Sequence, residues 1–236
     1  MHILAIVNET EAGPGVFGEA AREAGHDIVE WAAHTASASP SLEGFGAAVV
    51  LGGAMNVDEE GAHPWLRGEK RAIADLASAG TPIIGVCLGA QMVAEVLGGS
   101  AARASLPEIG WHDVEMTAAA ADDPVLGELP PRFEAFQWHS YAATPPEGAA
   151  TLATSPVSVQ GYRVGDRVWG IQFHAEVTMA SIEEWVAEAN DPDAERMAID
   201  GDALLAESRE KIGSWNRVGR GISARFFETA ESLLRK

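Results

Sequence analysis

The segment Ile83-Ile84-Gly85-Val86-Cys87-Leu88-Gly89-Ala90-Gln91 constrains this chain more than any other. An apolar run enters Gly-x-Cys-x-Gly, and a helical pattern over Leu88–Leu97 begins at once and closes at Gly98-Gly99. A strand that turns this sharply into a helix is the nucleophile-elbow pattern, here with cysteine in place of serine. The turn brings backbone segments together, so a Cβ at either flanking glycine would clash. It lifts the sulfur clear of the sheet and sets it at a helix N-terminus, where the positive end of the dipole favours thiolate. The Leu88 N–H points into the same space and is a candidate oxyanion donor. A cysteine taken alone is most often a small buried hydrophobe; the strand–elbow–helix context makes Cys87 a candidate nucleophile. It is the only cysteine in 236 residues. That rules out an internal disulfide and a cysteine cluster for zinc, and a lone thiol suits a reducing cytoplasm.

An elbow needs a sheet to stand on, and the flanking sequence supplies one. His2–Val7, Asp27–Trp31, Ala47–Leu51 and Pro82–Val86 read as strands. Pro14–Gly25 and Pro64–Ala79 read as helices; in the second, Leu66, Ile73, Leu76 and Ala77 share a face and Gly80 follows as a cap. Strands separated by helices imply right-handed crossovers and a parallel sheet. The middle of the chain differs. Trp111–Thr117, Phe133–Trp138, Thr151–Thr154, Ser158–Val164 and Val168–Phe173 are strand-like with short connections, and Gly165-Asp166 reads as a hairpin turn. This block predicts an antiparallel extension or a return to the central sheet. After it come a helix over Met179–Ala189, a polar loop over Asn190–Asp202 and two helices within Asp202–Lys236, broken near Gly219. The expected architecture is α/β: a mostly parallel sheet flanked by helices, a small antiparallel extension and a helical C-terminus. Residues 1–236 read as a single domain, with 190–236 as a helical extension.

Two further motifs complement the elbow. Trp169-Gly170-Ile171-Gln172-Phe173-His174-Ala175-Glu176 is an apolar strand ending in His-x-Glu. In extended chain, residues two apart project the same way, so Glu176 lies beside His174 and fixes its tautomer. The other ring nitrogen is then free to take the thiol proton. Leu51-Gly52-Gly53-Ala54-Met55 runs from a strand into paired glycines, whose exposed N–H groups offer a second oxyanion donor, best placed at Gly53. All three motifs fall at carboxyl ends of predicted strands, where open α/β sheets bind ligands.

Composition narrows the classes left. Asp plus Glu number 35 against 16 Lys plus Arg, a formal charge of −19. That sign repels phosphate backbones and anionic lipid, which argues against nucleic-acid or membrane partners. The start, MHILAIVNETEAG, lacks the basic region and cleavage site of a signal peptide, and no apolar run approaches 18 residues. His63, His112 and His139 lack the spacing or carboxylate pairing of a metal site, so no metal is expected. Glu9–Gly15 is Gly-rich after a strand but lacks G-x-G-x-x-G, and no cofactor is expected there. Trp65 and Trp185 fall in helical patterns and are expected to pack against the core; Trp138 fits either a pocket wall or the core.

In order, Gly-Gly, then Gly-Val-Cys-Leu-Gly-Ala-Gln, then Gln-Phe-His-Ala-Glu resembles the class I (triad) glutamine amidotransferases, over roughly Met1 to Glu188. The stretches Pro64-Trp65-Leu66, Glu108-Ile109-Gly110-Trp111 and Phe136-Gln137-Trp138-His139-Ser140 look most like free-standing members related to the glutaminase domain of GMP synthetase. The resemblance implies a flavodoxin-like sheet and a cysteine-dependent glutaminase. Cys87 would attack a γ-glutamyl carboxamide, the backbones of Gly53 and Leu88 would hold the oxyanion, His174 would shuttle the proton and Glu176 would orient it. Gln91 would contact the glutamyl portion. His139, Ser140 and Tyr141 match the segment that receives the α-amino and α-carboxylate groups. Ala54 and Ala175 stand where many members carry proline, which touches no reacting group. Two enzymatic readings follow: a glutaminase feeding ammonia to a separate synthase, or a stand-alone γ-glutamyl hydrolase or transferase acting on γ-glutamyl amines or peptides. A binding module that keeps the elbow only for shape is a third.

Overall fold

The computed structural model describes residues 1–35, 39–187 and 192–235. Nine strands form one sheet: β1 His2–Val7, β2 Asp27–Ala32, β3 Phe45–Val50, β4 Ile83–Val86, β5 Ser100–Met116, β6 Arg132–Thr144, β7 Ala150–Thr154, β8 Val159–Val164 and β9 Val168–Ile171. Their order is β2-β1-β3-β4-β9-β8-β7-β5-β6. The first five in that order pair in parallel. From β9 outward, β8, β7, β5 and β6 pair antiparallel. The antiparallel block therefore continues the central sheet.

The parallel half is covered on both faces, and its strands show why they read as unbroken apolar runs. Alternate residues of one strand enter opposite cores. Ile3 and Val7, Ala47 and Val49, and Ile84 and Val86 join one cluster with Phe17, Ile222, Phe226 and Phe227. Leu4 and Ile6, Ala48 and Val50, and Ile83 join the other with Leu66, Ile73, Leu76, Met92 and Val93. The first face is thus packed by α1 (Gly15–Glu23) and the last helix, the second by α2 (Leu66–Ser78) and α3 (Leu88–Val96).

Several expectations need correction. Both middle strands are longer than expected: β5 begins at Ser100 with an irregularity between Arg103 and Glu108, and β6 runs on to Thr144. The strand before His174 stops at Ile171, so the His-x-Glu pair sits in a loop. The C-terminal helix does not break at Gly219. It runs unbroken over Gly201–Leu234 (α6), with the Asp200 side chain accepting from the Ala203 N–H at its start. A Cβ at Gly219 would lie 2.0 Å from the Ala175 carbonyl oxygen, so this glycine serves close approach to the His174 loop and tolerates the helix interior at modest cost. The polar stretch before α6 contains a short helix, α5, at Pro192–Arg196. The helix expected over Met179–Ala189 is described as α4, Met179–Ala187; its last two residues, and the first two of the polar stretch, lie outside the described residues. Among the described residues, no helix is long and apolar enough to cross a membrane.

Candidate active site

Cys87 follows β4 directly and precedes α3. Its backbone takes φ 52°, ψ −113°, a region a residue with a Cβ adopts only when its surroundings force it. Two hydrogen bonds and two close approaches do the forcing. The Cys87 N–H donates to Ile171 O on β9 (2.8 Å), and Gln91 N–H donates back to Cys87 O (3.0 Å). A Cβ at Gly89 would lie 2.0 Å from Val50 O, and one at Gly85 would lie 2.6 Å from Gly89 O. The two glycines let the turn press against β3 and against itself, as the motif predicts.

His174 hangs from β6 by its N–H, which donates to Phe136 O (2.9 Å). Its Nδ1 lies 2.8 Å from Glu176 Oε1, and both side chains are buried. Burial works against the charged ring, but the Glu176 carboxylate and the Cys87 sulfur outweigh it and raise the His174 pKa well above the ordinary value. Cys87 and His174 meet around Gly52, where a Cβ would sit 3.1 Å from His174 Cε1 and 3.5 Å from Cys87 Cβ. The imidazole and sulfur are thus in mutual reach.

The loop carrying His174 and Glu176 is fixed by residues that sequence reasoning passed over. Trp215 and Asn216 of α6 donate to His174 O (2.8 Å) and Val177 O (2.7 Å). Val16 N–H donates to Glu176 O (2.9 Å). Gly15, with φ +45°, approaches so closely that a Cβ would sit 2.0 Å from Glu176 O. The Gly-rich stretch after β1 therefore clasps this loop. Trp185 packs against the core, as expected, and also lines the pocket, with its ring 4.8 Å from that of His174.

A cavity of about 740 Å³ joins Cys87, His174, Gly53, Leu88, Gln91, Trp138, His139, Ser140 and Tyr141. Glu176 does not line it and stands behind His174. The Gly53 N–H meets no protein acceptor among the described residues, whereas the next N–H, of Ala54, donates to Glu9 (3.1 Å). Leu88 N–H belongs to the first turn of α3, whose donors lack intrahelical partners. Gln91 donates its Nε2 to Tyr141 O (2.9 Å) and Gln172 Oε1 (3.3 Å). The His139 ring turns away from the cavity: Nδ1 meets Tyr141 O (3.0 Å) and Nε2 lies 3.3 Å from Glu108. Ser140 Oγ donates to Asp193 of α5, which also holds Arg103 (2.6 Å) and Arg196 (2.8 Å). No sequence signal marked Asp193 or Arg103, because long-range folding alone brings α5 to β5. Neither His63 nor His112 joins the site: His63 packs edge-on against Trp65, and His112 bonds to Ile109 O within its own strand.

Comparison with known proteins agrees with the architecture. GMP synthase of Aeropyrum pernix is 28% identical over 203 residues, which cover 83% of this chain and 39% of that one. The glutamine amidotransferase-like protein YfeJ of Salmonella typhimurium is 27% identical over 191 residues, covering 78% of this chain and 79% of that one. The crystal structure of a glutamine amidotransferase from Thermotoga maritima matches with a TM-score of 0.85 at 30% identity, covering 96% of this chain and 97% of that one. The chain spans about two fifths of the length of the first relative and nearly all of the solved structure. The family model for class I glutamine amidotransferases matches residues 19–188, well over half of the sequence, and the chain belongs to that family.

Proposed function

We propose that this chain hydrolyses γ-glutamyl amides through a Cys87 thioester, with free glutamine as the simplest substrate. The observation that carries the reading is the meeting of a strained elbow cysteine with a His174–Glu176 pair on one cavity. The Cys87 thiolate adds to the γ-carbonyl carbon, and the N–H groups of Gly53 and Leu88 receive the oxyanion. His174, held protonated by Glu176, gives its proton to the departing ammonia or amine as the C–N bond breaks. It then takes a proton from water as hydroxide attacks the thioester; the C–S bond breaks, glutamate leaves and the thiolate returns. Gln91 has no protein donor on its Oε1 among the described residues, which suits an α-ammonium group. The backbone of His139, Ser140 and Tyr141 forms the facing wall and suits the α-carboxylate. On this reading the ammonia released from glutamine goes to a separate synthase; the GMP synthase relative is itself named as glutamine-hydrolysing.

The size of the cavity favours a second reading, since about 740 Å³ exceeds what glutamine fills and admits a larger γ-glutamyl amine or peptide. Mass spectrometry after brief exposure to a panel of γ-glutamyl compounds tests both. An acyl adduct on Cys87 with glutamine supports the first, and one only with larger amides supports the second. No adduct with any of them, and no labelling by a glutamine-analogue electrophile, would defeat both.

A further inference from the structure

Behind the paired glycines lies a buried polar pair that the chemistry above does not use. Asn8, the residue after β1, is fully buried and donates its Nδ2 to Leu51 O (3.1 Å), immediately before Gly52-Gly53. A Cβ on Gly53 would fall 2.9 Å from Asn8 Cβ, so Asn8 backs directly onto the candidate oxyanion donor. Asn8 Oδ1 takes no conventional hydrogen bond, and neither does either carboxyl oxygen of Glu69, on the first turn of α2. Glu69 has no exposed surface, and among the described residues no cation pairs with it. Its neighbour Lys70 is committed to Glu60 (2.7 Å) and Glu95 (2.8 Å).

An unpaired carboxylate in such a place is costly to bury, so the group takes up a proton instead. Burial pushes the Glu69 carboxyl up to about 8, with only the Asn8 side chain opposing. A protonated Glu69 is a donor, and the Asn8 side chain beside it carries an acceptor without a partner, Oδ1. Pairing these two groups would fix which way the Asn8 amide points: with Oδ1 held by Glu69, Nδ2 faces Leu51 O, as it does in the structure. A carboxylate would attract Nδ2 and turn the amide over.

We propose that Glu69 and Asn8 are positioning residues that hold the Leu51–Gly53 backbone in register for the oxyanion, with Glu69 acting as a hydrogen-bond donor through Asn8. This rests on the reading of Gly53 as an oxyanion donor. The pair never touches substrate; it sets the angle at which the Gly53 N–H enters the cavity.

Glu69→Leu and Glu69→Gln separate the possibilities. Leucine fills the space without a donor; the glutamine amide restores one. With glutamine and a γ-glutamyl anilide as substrates, E69L lowers kcat by about 10- to 100-fold with KM within about twofold, as expected when an oxyanion donor is misplaced. E69Q stays within about threefold of wild type. Alkylation of Cys87 by iodoacetamide, which needs no oxyanion, keeps its rate in E69L. Should E69L fail to fold, Asn8→Ala reads the same step. Wild-type kcat in E69L, equal losses in E69Q and E69L, or slowed alkylation would each overturn the proposal. If the wild-type protein releases glutamate from neither substrate, the function proposed above fails instead. Crystal structures of the two variants then decide this inference: an Asn8–Leu51 bond kept in E69Q and lost in E69L supports it, and one kept in both refutes it.

Discussion

Glu69 and Glu108 are the same side chain at nearly the same burial, 0% and 2% exposed, in opposite states. Glu69, packed on the parallel half, is pushed up to about 8 by burial, with the Asn8 amide opposing. Glu108, in the antiparallel half, is also opposed by burial, but the His139 ring and the Ser155 hydroxyl outweigh it and lower its pKa. It accepts from Gln160 Nε2 (2.8 Å) and Ser155 Oγ (3.0 Å), and Gln160 Oε1 in turn accepts from Gln137 (2.7 Å). The contrast reflects two ways of building a pocket wall. The parallel half positions Cys87 and Gly53 by main chain pressed on main chain, with glycines removing the Cβ atoms in between. The antiparallel half positions the 139–141 segment by a buried side-chain network around one charge.

The largest expected effect tests the first mode. Gly89→Ala places a Cβ 2.0 Å from Val50 O, and no rotamer relieves a backbone clash. Loss of more than about 4 kcal/mol, read as a failure to fold or a collapsed urea midpoint, is expected. A soluble Gly89→Ala protein with wild-type stability would show slack in the elbow and erase the contrast.

Acid and base should then move the two glutamates in opposite directions. The folded state binds the Glu69 proton more tightly than the unfolded chain. Its stabilising contribution is therefore complete below pH 4.5 and is lost as pH rises through about 8. That span corresponds to as much as about 5 kcal/mol. Glu69→Gln, which cannot ionise, should be more stable than wild type at pH 9 by a margin that closes towards pH 4.5. Equal denaturation midpoints at pH 9 would mean Glu69 is not held neutral. Glu108 has the reverse sign: its contribution is present above the ordinary carboxylate range and lost as pH falls through its lowered value. Glu108→Ala strands His139 Nε2, while Gln160 keeps Ser155 and Ser158 as acceptors, at a cost of about 3–5 kcal/mol near neutrality. The deficit should shrink on acidification; a deficit independent of pH would place the loss in packing rather than charge.

These differences explain what could be read in advance. Elbow, paired glycines and His-x-Glu are local patterns in which residue type answers a local steric or tautomeric demand, so Cys87, Gly53, His174 and Glu176 were all placed at one cavity or directly behind it. The parallel strands were legible because burial on both faces leaves a continuous apolar run. What escaped depends on contacts distant in sequence. Gly219 reads as a helix breaker until Ala175 O is seen against it, and Gly15 reads as one more residue of the Pro14–Gly25 helix until Glu176 O is. Trp185 packs against the core as its helical pattern implies, but nothing in that pattern announces the imidazole it also meets. Asp193 meets Arg103 across 90 residues, and no local rule announces that pairing.

The smallest effect concerns the elbow itself. Among the described residues only Cys87 and Ala198 combine a side chain with positive φ; in the antiparallel strands and turns that conformation falls on glycines such as Gly110 and Gly165. Backbone strain at the pocket is thus confined to the half built by main chain. Such a conformation costs of order 1–3 kcal/mol, and glycine relieves it. Cys87→Gly should abolish hydrolysis and yet raise stability by about 1–3 kcal/mol, or a few degrees in Tm. Cys87→Ala supplies the control, since it keeps the Cβ and loses the same sulfur contacts. Glycine more stable than alanine at this position, by calorimetry, places the strain in the backbone. Alanine equal to or above glycine, the usual order for a surface or helical site, would mean that the turn holds Cys87 without strain and that the two halves differ only in their side chains.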